Sequence, residues 1–330
     1  MQLQTDDFIA DLERWRDAYI SRLRAAEYSP NTIELYERAL EQFIEYSLQY
    51  QEDMILKDLR SVYFDGFVNY LEEEARIKGM KPHRDGRFLS KSTKDTYLKA
   101  VKGCFKYIGD NNDEEYSFER FLSSYKRRDK TASEDKINYL TEDEQRLLEE
   151  GIENDKTKSV YNTYRNAFLI KLMLYGGLRI SEALGVRLSD IKEGTDSYVI
   201  EIYAKGGKTQ RARVLKEFIE DELFCFVNIF HLKGNDLIMR TMNDTPMTRI
   251  NASKTINKLY RKYGIFKQGL HILRHTFAMR LTECGAALVE IKDLLRHSNI
   301  STTTIYSKAS GKSLDNALSR LSSKSKAEQN

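Results

Sequence analysis

LHILRHTFAMRL, residues 270–281, is the stretch on which the reading of this chain turns. Leu270, Leu273, Phe277 and Leu281 recur at helical spacing and predict one apolar face. His271 and Arg274 stand three residues apart, so they are neighbours on the helix surface and are expected to point together away from the core. A zinc pair from His271 and His275 is disfavoured. The metalloprotease pattern needs a glutamate after the first histidine, where Ile272 stands, and an arginine between two ligands repels a cation. Histidine beside arginine suits an oxyanion, above all a phosphate. His275 repeats the spacing without the exposed direction and reads as structural.

Outward from this helix, other anion-binding groups appear. Arg179 follows the Gly176-Gly177 break and begins a new helical turn, where side-chain and backbone donors can converge on an anion. YVIEIYAKGGKTQRARVL, residues 198–215, alternates with period two around Gly206-Gly207, a hairpin signal that places Lys205 at the tip. Further on, LVEIKDLLRH ends at His297, Asn299-Ile300 breaks the helix and Ser301 caps the next. In HSNISTTTIYSK, residues 297–308, Tyr306 therefore falls on a separate short helix, presented by a loop rather than fixed in the core.

Composition sets the limits. The chain has 330 residues, enough for two domains, with 31% charged and 41% hydrophobic side chains. A net charge of +3 does not by itself announce nucleic acid, so any basic surface must come from local clustering. Cys104, Cys225 and Cys284 form no ligand pair and predict buried thiols in a reducing compartment. The start of the chain lacks a basic segment followed by an apolar one, and no apolar run approaches the ~20 residues of a membrane span. A cytoplasmic protein is expected.

The periodicity predicts a mostly helical molecule with one small β-hairpin sheet, in two domains. Residues 1–125 form a helical DNA-binding domain, 126–137 a linker, and 138–330 the second domain. Ser29 and Pro30 open a helix carrying Ile33, Tyr36, Leu40, Phe43 and Ile44. In KSTKDTYLKAVKGCFKYI, residues 91–108, Tyr97, Leu98, Val101, Cys104, Phe105 and Ile108 share one arc. Lys91, Lys99, Lys102 and Lys106 share a neighbouring arc of about 80° that suits a phosphate backbone. Arg127 and Arg128 in the linker extend the candidate DNA surface. Thr141 caps the next helix, and Phe168 to Leu174 are apolar on nearly all sides, as in a core helix.

In this order, GLRISEAL, the hairpin-tip lysine, HILRHTFA and LLRHSNISTTTIY resemble the tyrosine recombinase (phage integrase) family, with Xer-type recombinases the nearest likeness. The resemblance covers about Leu140 to Leu321. It implies a two-domain DNA clamp with Arg179, Lys205, His271, Arg274, His297 and Tyr306 as the catalytic set and Glu182 as a supporting acid. Tyr306 is then the nucleophile, forming a 3′-phosphotyrosyl link. Arg179 and Arg274 clamp the non-bridging oxygens, His271 and His297 donate hydrogen bonds, and Lys205 protonates the departing 5′-oxygen. His271 is also the expected base for the tyrosine proton. A phenol of pKa ~10 is itself a fair leaving group, so religation needs neither a cofactor nor a metal. The implied partners are a specific recombination site in double-stranded DNA, three further copies of the chain in a tetramer on two paired sites, and an activating DNA translocase. A mobile-element integrase or transposase, a type IB topoisomerase and a non-catalytic DNA-binding regulator are the alternatives. The family usually has glycine where this chain has Arg296, which is expected either to alter the helix C-terminus or to add a phosphate contact. Leu314, Leu318 and Leu321 space a short amphipathic segment suited to docking on a neighbouring protomer.

Overall fold

The computed structural model describes residues 1–50, 54–83, 85–124, 137–155, 159–203, 209–297 and 303–309. The chain divides into two compact units, Met1–Ala132 and Ser133–Asn330.

The first unit is helical: α1 (Phe8–Ala25), α2 (Pro30–Ser47), α3 (Val62–Ile77), α4 (Lys91–Asn111) and α5 (Glu119–Ser124). Ser29 caps α2 by accepting from the Thr32 N–H at 3.2 Å, with Pro30 in the first turn, where its missing N–H costs nothing. Tyr36, Leu40, Phe43 and Ile44 are buried as their spacing predicts. Phe43 meets Phe67 and Phe105 edge-on, with ring centroids 5.1 and 5.7 Å apart, so aromatic packing joins α2, α3 and α4.

The second unit comprises α6 (Glu142–Glu153), α7 (Val160–Tyr175), α8 (Ile180–Leu184), β1 (Ile191–Glu193), β2 (Ser197–Tyr203), β3 (Thr209–Leu215), α9 (Lys216–Asn228), α10 (Arg249–Lys262), α11 (His271–Glu283), α12 (Leu288–Leu295) and α13 (Thr304–Ala309). A reciprocal box opens α6, with Thr141 Oγ1 accepting from Glu144 N and Glu144 accepting from Thr141 N. Phe168, Leu169, Ile170, Leu172, Met173 and Leu174 are buried, making α7 the central helix of this unit. The sheet is antiparallel in the order β1-β2-β3, with Ile200 paired to Ala212 and Ile202 to Gln210. The sequence reading expects only the hairpin, because three residues of β1 are too few to show a period. The hairpin tip, with Lys205 and Gly206-Gly207, lies outside the described residues, as does the linker with Arg127 and Arg128.

After α7 the backbone turns at Gly177, whose φ of +57° suits a residue without a side chain. A Cβ there would stand 2.5 Å from Phe277 Cδ1 of α11, so the turn and α11 touch through glycine. That contact brings the two halves of the candidate site together. Cys104 and Cys225 are buried as expected, but Cys284 is exposed at the end of α11.

Candidate active site

Four elements of the second unit contribute, α8, α11, α12 and α13. Arg179 caps α8 and reaches Glu182 one turn on, with Nη1 2.7 Å from Oε1. Its own backbone N–H donates to Glu182 Oε2 at 2.8 Å. The backbone donor that the sequence reading offers to an anion is therefore already taken, and what Arg179 presents is its partly exposed guanidinium.

Arg274 differs from its expected place. Its residue exposure is 5%, and its guanidinium passes under the surface to donate to Gly177 O at 2.5 Å and Leu295 O at 2.6 Å. A single helix cannot reveal this, because the covering groups come from the α7–α8 turn and the end of α12. His271 does stay on the surface, at the first position of α11.

Tyr306 also departs from expectation. It lies on the short separate helix α13, but it is 2% exposed and packs with Ala278, Met279, Ile291 and Leu295. Its Oη is 2.9 Å from His275 Nδ1. His275, read as structural from spacing alone, is the histidine that touches the candidate nucleophile. The missed signal is its i,i+4 relation to His271, which puts both rings on one side of α11 with centroids 6.4 Å apart.

His297 follows α12, and its Nδ1 lies 2.9 Å from the hydroxyl of Thr303, which is fully buried. The Tyr306 N–H in turn donates to Thr303 O at 3.1 Å. Thr303 thus ties the second histidine to the tyrosine helix, which explains one member of the hydroxyl run before Tyr306. The Nδ1–hydroxyl contact leaves Nε2 as the ring nitrogen not engaged by Thr303.

Arg296 is buried as well, so it adds no outward phosphate contact. Its backbone is left-handed (φ 55°), and its Nη2 lies 2.9 Å from Glu182 Oε2. Three guanidiniums, from Arg179, Arg274 and Arg296, thus surround one carboxylate. Burial pushes the Glu182 carboxyl up, but the Arg179 N–H and the Arg296 and Arg179 side chains together hold it below its ordinary value. On the histidines burial acts in the opposite direction, so that burial and the cations both lower them. His297 is lowered to about 4 by burial, then by Arg274, Arg179 and Arg296. His271 is lowered by burial, Arg249, Arg274 and Arg179. His275 is lowered by burial, His271 and Arg274. At neutral pH all three rings are uncharged donors or acceptors, and the cluster keeps an excess of positive charge from arginine alone. Burial raises the Tyr306 phenol, against the pull of Arg274 and Arg179, so the hydroxyl is protonated and needs a base. Arginine and neutral histidine donors beside a phenol are chemically suited to an oxyanion, and no group of acids, cysteines or histidines that could hold a metal occurs among the described residues.

In the first unit, Lys91, Lys99 and Lys106 are exposed on α4. Lys102 instead leans over the Phe64 ring, 5.4 Å from its centroid, and burial lowers its amine. Asp95 lies on the same helical arc, so the stripe is not free of acid. Lys94, not part of the stripe, is buried in an ion pair with Glu72.

Residues 138–312 match the phage integrase family. The Campylobacter jejuni tyrosine recombinase XerH is 32% identical over 223 residues, 66% of this chain and 62% of that protein. Helicobacter pylori XerH is 29% identical over 240 residues, 70% of this chain and 66% of that one. The chain thus matches just under two thirds of the length of each of these relatives. Among solved structures, XerH bound to palindromic difH substrate in a post-cleavage complex superposes with a TM-score of 0.81. The identity there is 22%, covering 96% of this chain and 98% of that one. A Tn1549 transposon integrase in complex with transposon right end DNA gives 0.61 at 19% identity, covering 93% and 99%.

Proposed function

The chain belongs to the phage integrase family, and from that premise we propose that it is a site-specific DNA recombinase of Xer type. The observation that carries the reading is the convergence of Tyr306, His275, His297, Arg274 and Arg179 from α8, α11, α13 and the end of α12.

The scissile phosphate sits against Arg179, with Arg274 behind it and His271 and His297 donating to its oxygens. Tyr306 Oη attacks phosphorus while His275 Nδ1 accepts the phenol proton. His275 replaces His271 in that role because it is the ring within hydrogen-bonding distance of Oη. The 5′-oxygen leaves with a proton from Lys205, and the strand remains joined through a 3′-phosphotyrosyl bond. A 5′-hydroxyl from a partner strand reverses these steps, giving a Holliday junction and then the recombinant.

Residues 1–125 and 138–330 each contact the DNA, joined by the linker 126–137. Lys91, Lys99 and Lys106 meet the DNA backbone from the first domain, with Arg127 and Arg128 in the linker. Four copies work on two paired sites in the cytoplasm. The likeness to XerH favours a role in resolving chromosome dimers at cell division, under a DNA translocase, over mobile-element movement. The segment after Tyr306 with Leu314, Leu318 and Leu321, outside the described residues, couples protomers. Truncation after Lys312 should spare single-site binding and lower recombination on paired sites.

The direct test is an SDS-stable adduct on nicked DNA carrying the target site, found by mapping bound genomic sequences. Wild type should form it in EDTA, and Tyr306→Phe should bind the same DNA without forming it. No adduct from wild type on its mapped site would leave a DNA-binding regulator as the reading.

A further inference from the structure

Arg296 holds a backbone conformation that penalises every residue with a Cβ. At φ 55° and ψ 42° it is the left-handed cap of α12, a place that glycine fills without strain. A side chain persists there only when its surroundings fix it. The surroundings are specific. The Arg296 side chain is 4% exposed. Its Nη1 donates to Leu294 O at 2.8 Å, and its Nη2 donates to Gly177 O at 3.1 Å and to Glu182 Oε2 at 2.9 Å.

Both of the last two acceptors serve the phosphate-binding arginines. Gly177 O is the carbonyl on which Arg274 Nη1 rests. Glu182 is the carboxylate on which Arg179 rests through both its side chain and its N–H. Arg274 Nη1 stands 3.9 Å from Glu182 Oε2, close enough to compete for it. One guanidinium, itself not on the surface, is therefore shared between the supports of the two arginines that meet the substrate.

We propose that Arg296 is a positioning residue for strand cleavage, fixing Glu182 and the Gly177 carbonyl so that Arg179 and Arg274 keep their donors turned to the phosphate. This rests on the recombinase reading above. A planar fork that bonds two acceptors at once does this better than a point charge. Occupation of Glu182 Oε2 by Arg296 also keeps Arg274 from collapsing onto that carboxylate.

Arg296→Gly is the first variant, since glycine suits the left-handed backbone. It should melt near wild type, bind its DNA site within a factor of about three, and form the tyrosyl adduct at least ten-fold more slowly. Arg296→Lys should recover part of that loss. Glu182 faces Arg179 on α8, Arg274 on α11 and Arg296 at the end of α12. Without Arg296 its carboxyl titrates at higher pH, so the acidic limb of the cleavage profile should move up. Combined with Glu182→Gln, the Arg296→Gly loss should not multiply, because both changes remove the same support. Wild-type rate and pH profile in Arg296→Gly, or fully multiplicative losses in the double variant, would overturn the proposal. Should Arg296→Gly fail to fold, Arg296→Gln is read in the same way, slower cleavage with intact binding against wild-type cleavage. A wild-type protein without any adduct would instead strike the recombinase reading itself.

Discussion

His275 Nδ1 lies 2.9 Å from Tyr306 Oη, joining the middle of α11 to the short helix α13. The bond holds the phenol inside a small apolar cluster of Ala278, Met279, Ile291 and Leu295 rather than in solvent. Burial makes the phenol harder to ionise and the imidazole harder to protonate, so in the free protein the proton stays on oxygen.

His275→Ala should therefore slow adduct formation by a factor of about 100 or more, the usual worth of a positioned base. Binding to the site should be unchanged, since the ring lies behind the tyrosine. Single-turnover cleavage on nicked DNA measures it. A wild-type rate would return the base role to His271.

The two arginines should separate by stability. Arg179 is partly exposed, so Arg179→Ala should slow cleavage by about 100-fold with little change in melting. Arg274→Ala should slow cleavage similarly and also destabilise the fold by several kcal/mol. It leaves Leu295 O without its side-chain donor, at about 1–3 kcal/mol for a buried acceptor, and leaves Gly177 O with Arg296 alone. Thermal melts beside the cleavage assay distinguish the two.

The folded His297 ring titrates near 4, below its unfolded value of about 6.5. Its contribution to stability is thus complete above about pH 6.5 and is lost as pH falls toward 4, because the unfolded chain binds the proton first. Unfolding followed against pH should show this loss, and His297→Gln should flatten it. A bound phosphate opposes the arginines and raises the same ring, so DNA binding should take up protons in that window. Calorimetry in buffers of different ionisation enthalpy should detect the uptake.

Lys205 lies outside the described residues, and its role as general acid comes from the family resemblance. Lys205→Ala should abolish cleavage of ordinary DNA and regain it when sulfur replaces the 5′-bridging oxygen, since a thiolate leaves without a proton. An inactive variant on the sulfur substrate would move the acid to another residue.

Much of the site was legible because its chemistry is carried by rare residue types in fixed order. The chain has five histidines, and three of them meet in the site. Helical periodicity likewise placed the buried faces of α2 and α4, and a run apolar on nearly all sides placed α7 in the core, since both patterns are properties of each segment alone. The direction of individual groups was not legible. Arg274 seemed to face outward because its own helix left it free, and only the Gly177 turn and the end of α12 cover it. Lys102 read as part of a phosphate-facing stripe until Phe64 was seen beneath it. His275 looked structural until α13 folded back to bring Tyr306 against it.

Sequence by itself determined the inventory: which side chains can bind phosphate, which can attack it, and which helices carry them. Tertiary structure alone decided that Tyr306 is stowed, that His275 is its partner, and that Arg296 shares Glu182 with Arg179. Each of these depends on atoms distant along the chain, as with Gly177 and Arg296, which are brought together by packing. Local periodicity cannot encode such a meeting, because it describes one element at a time.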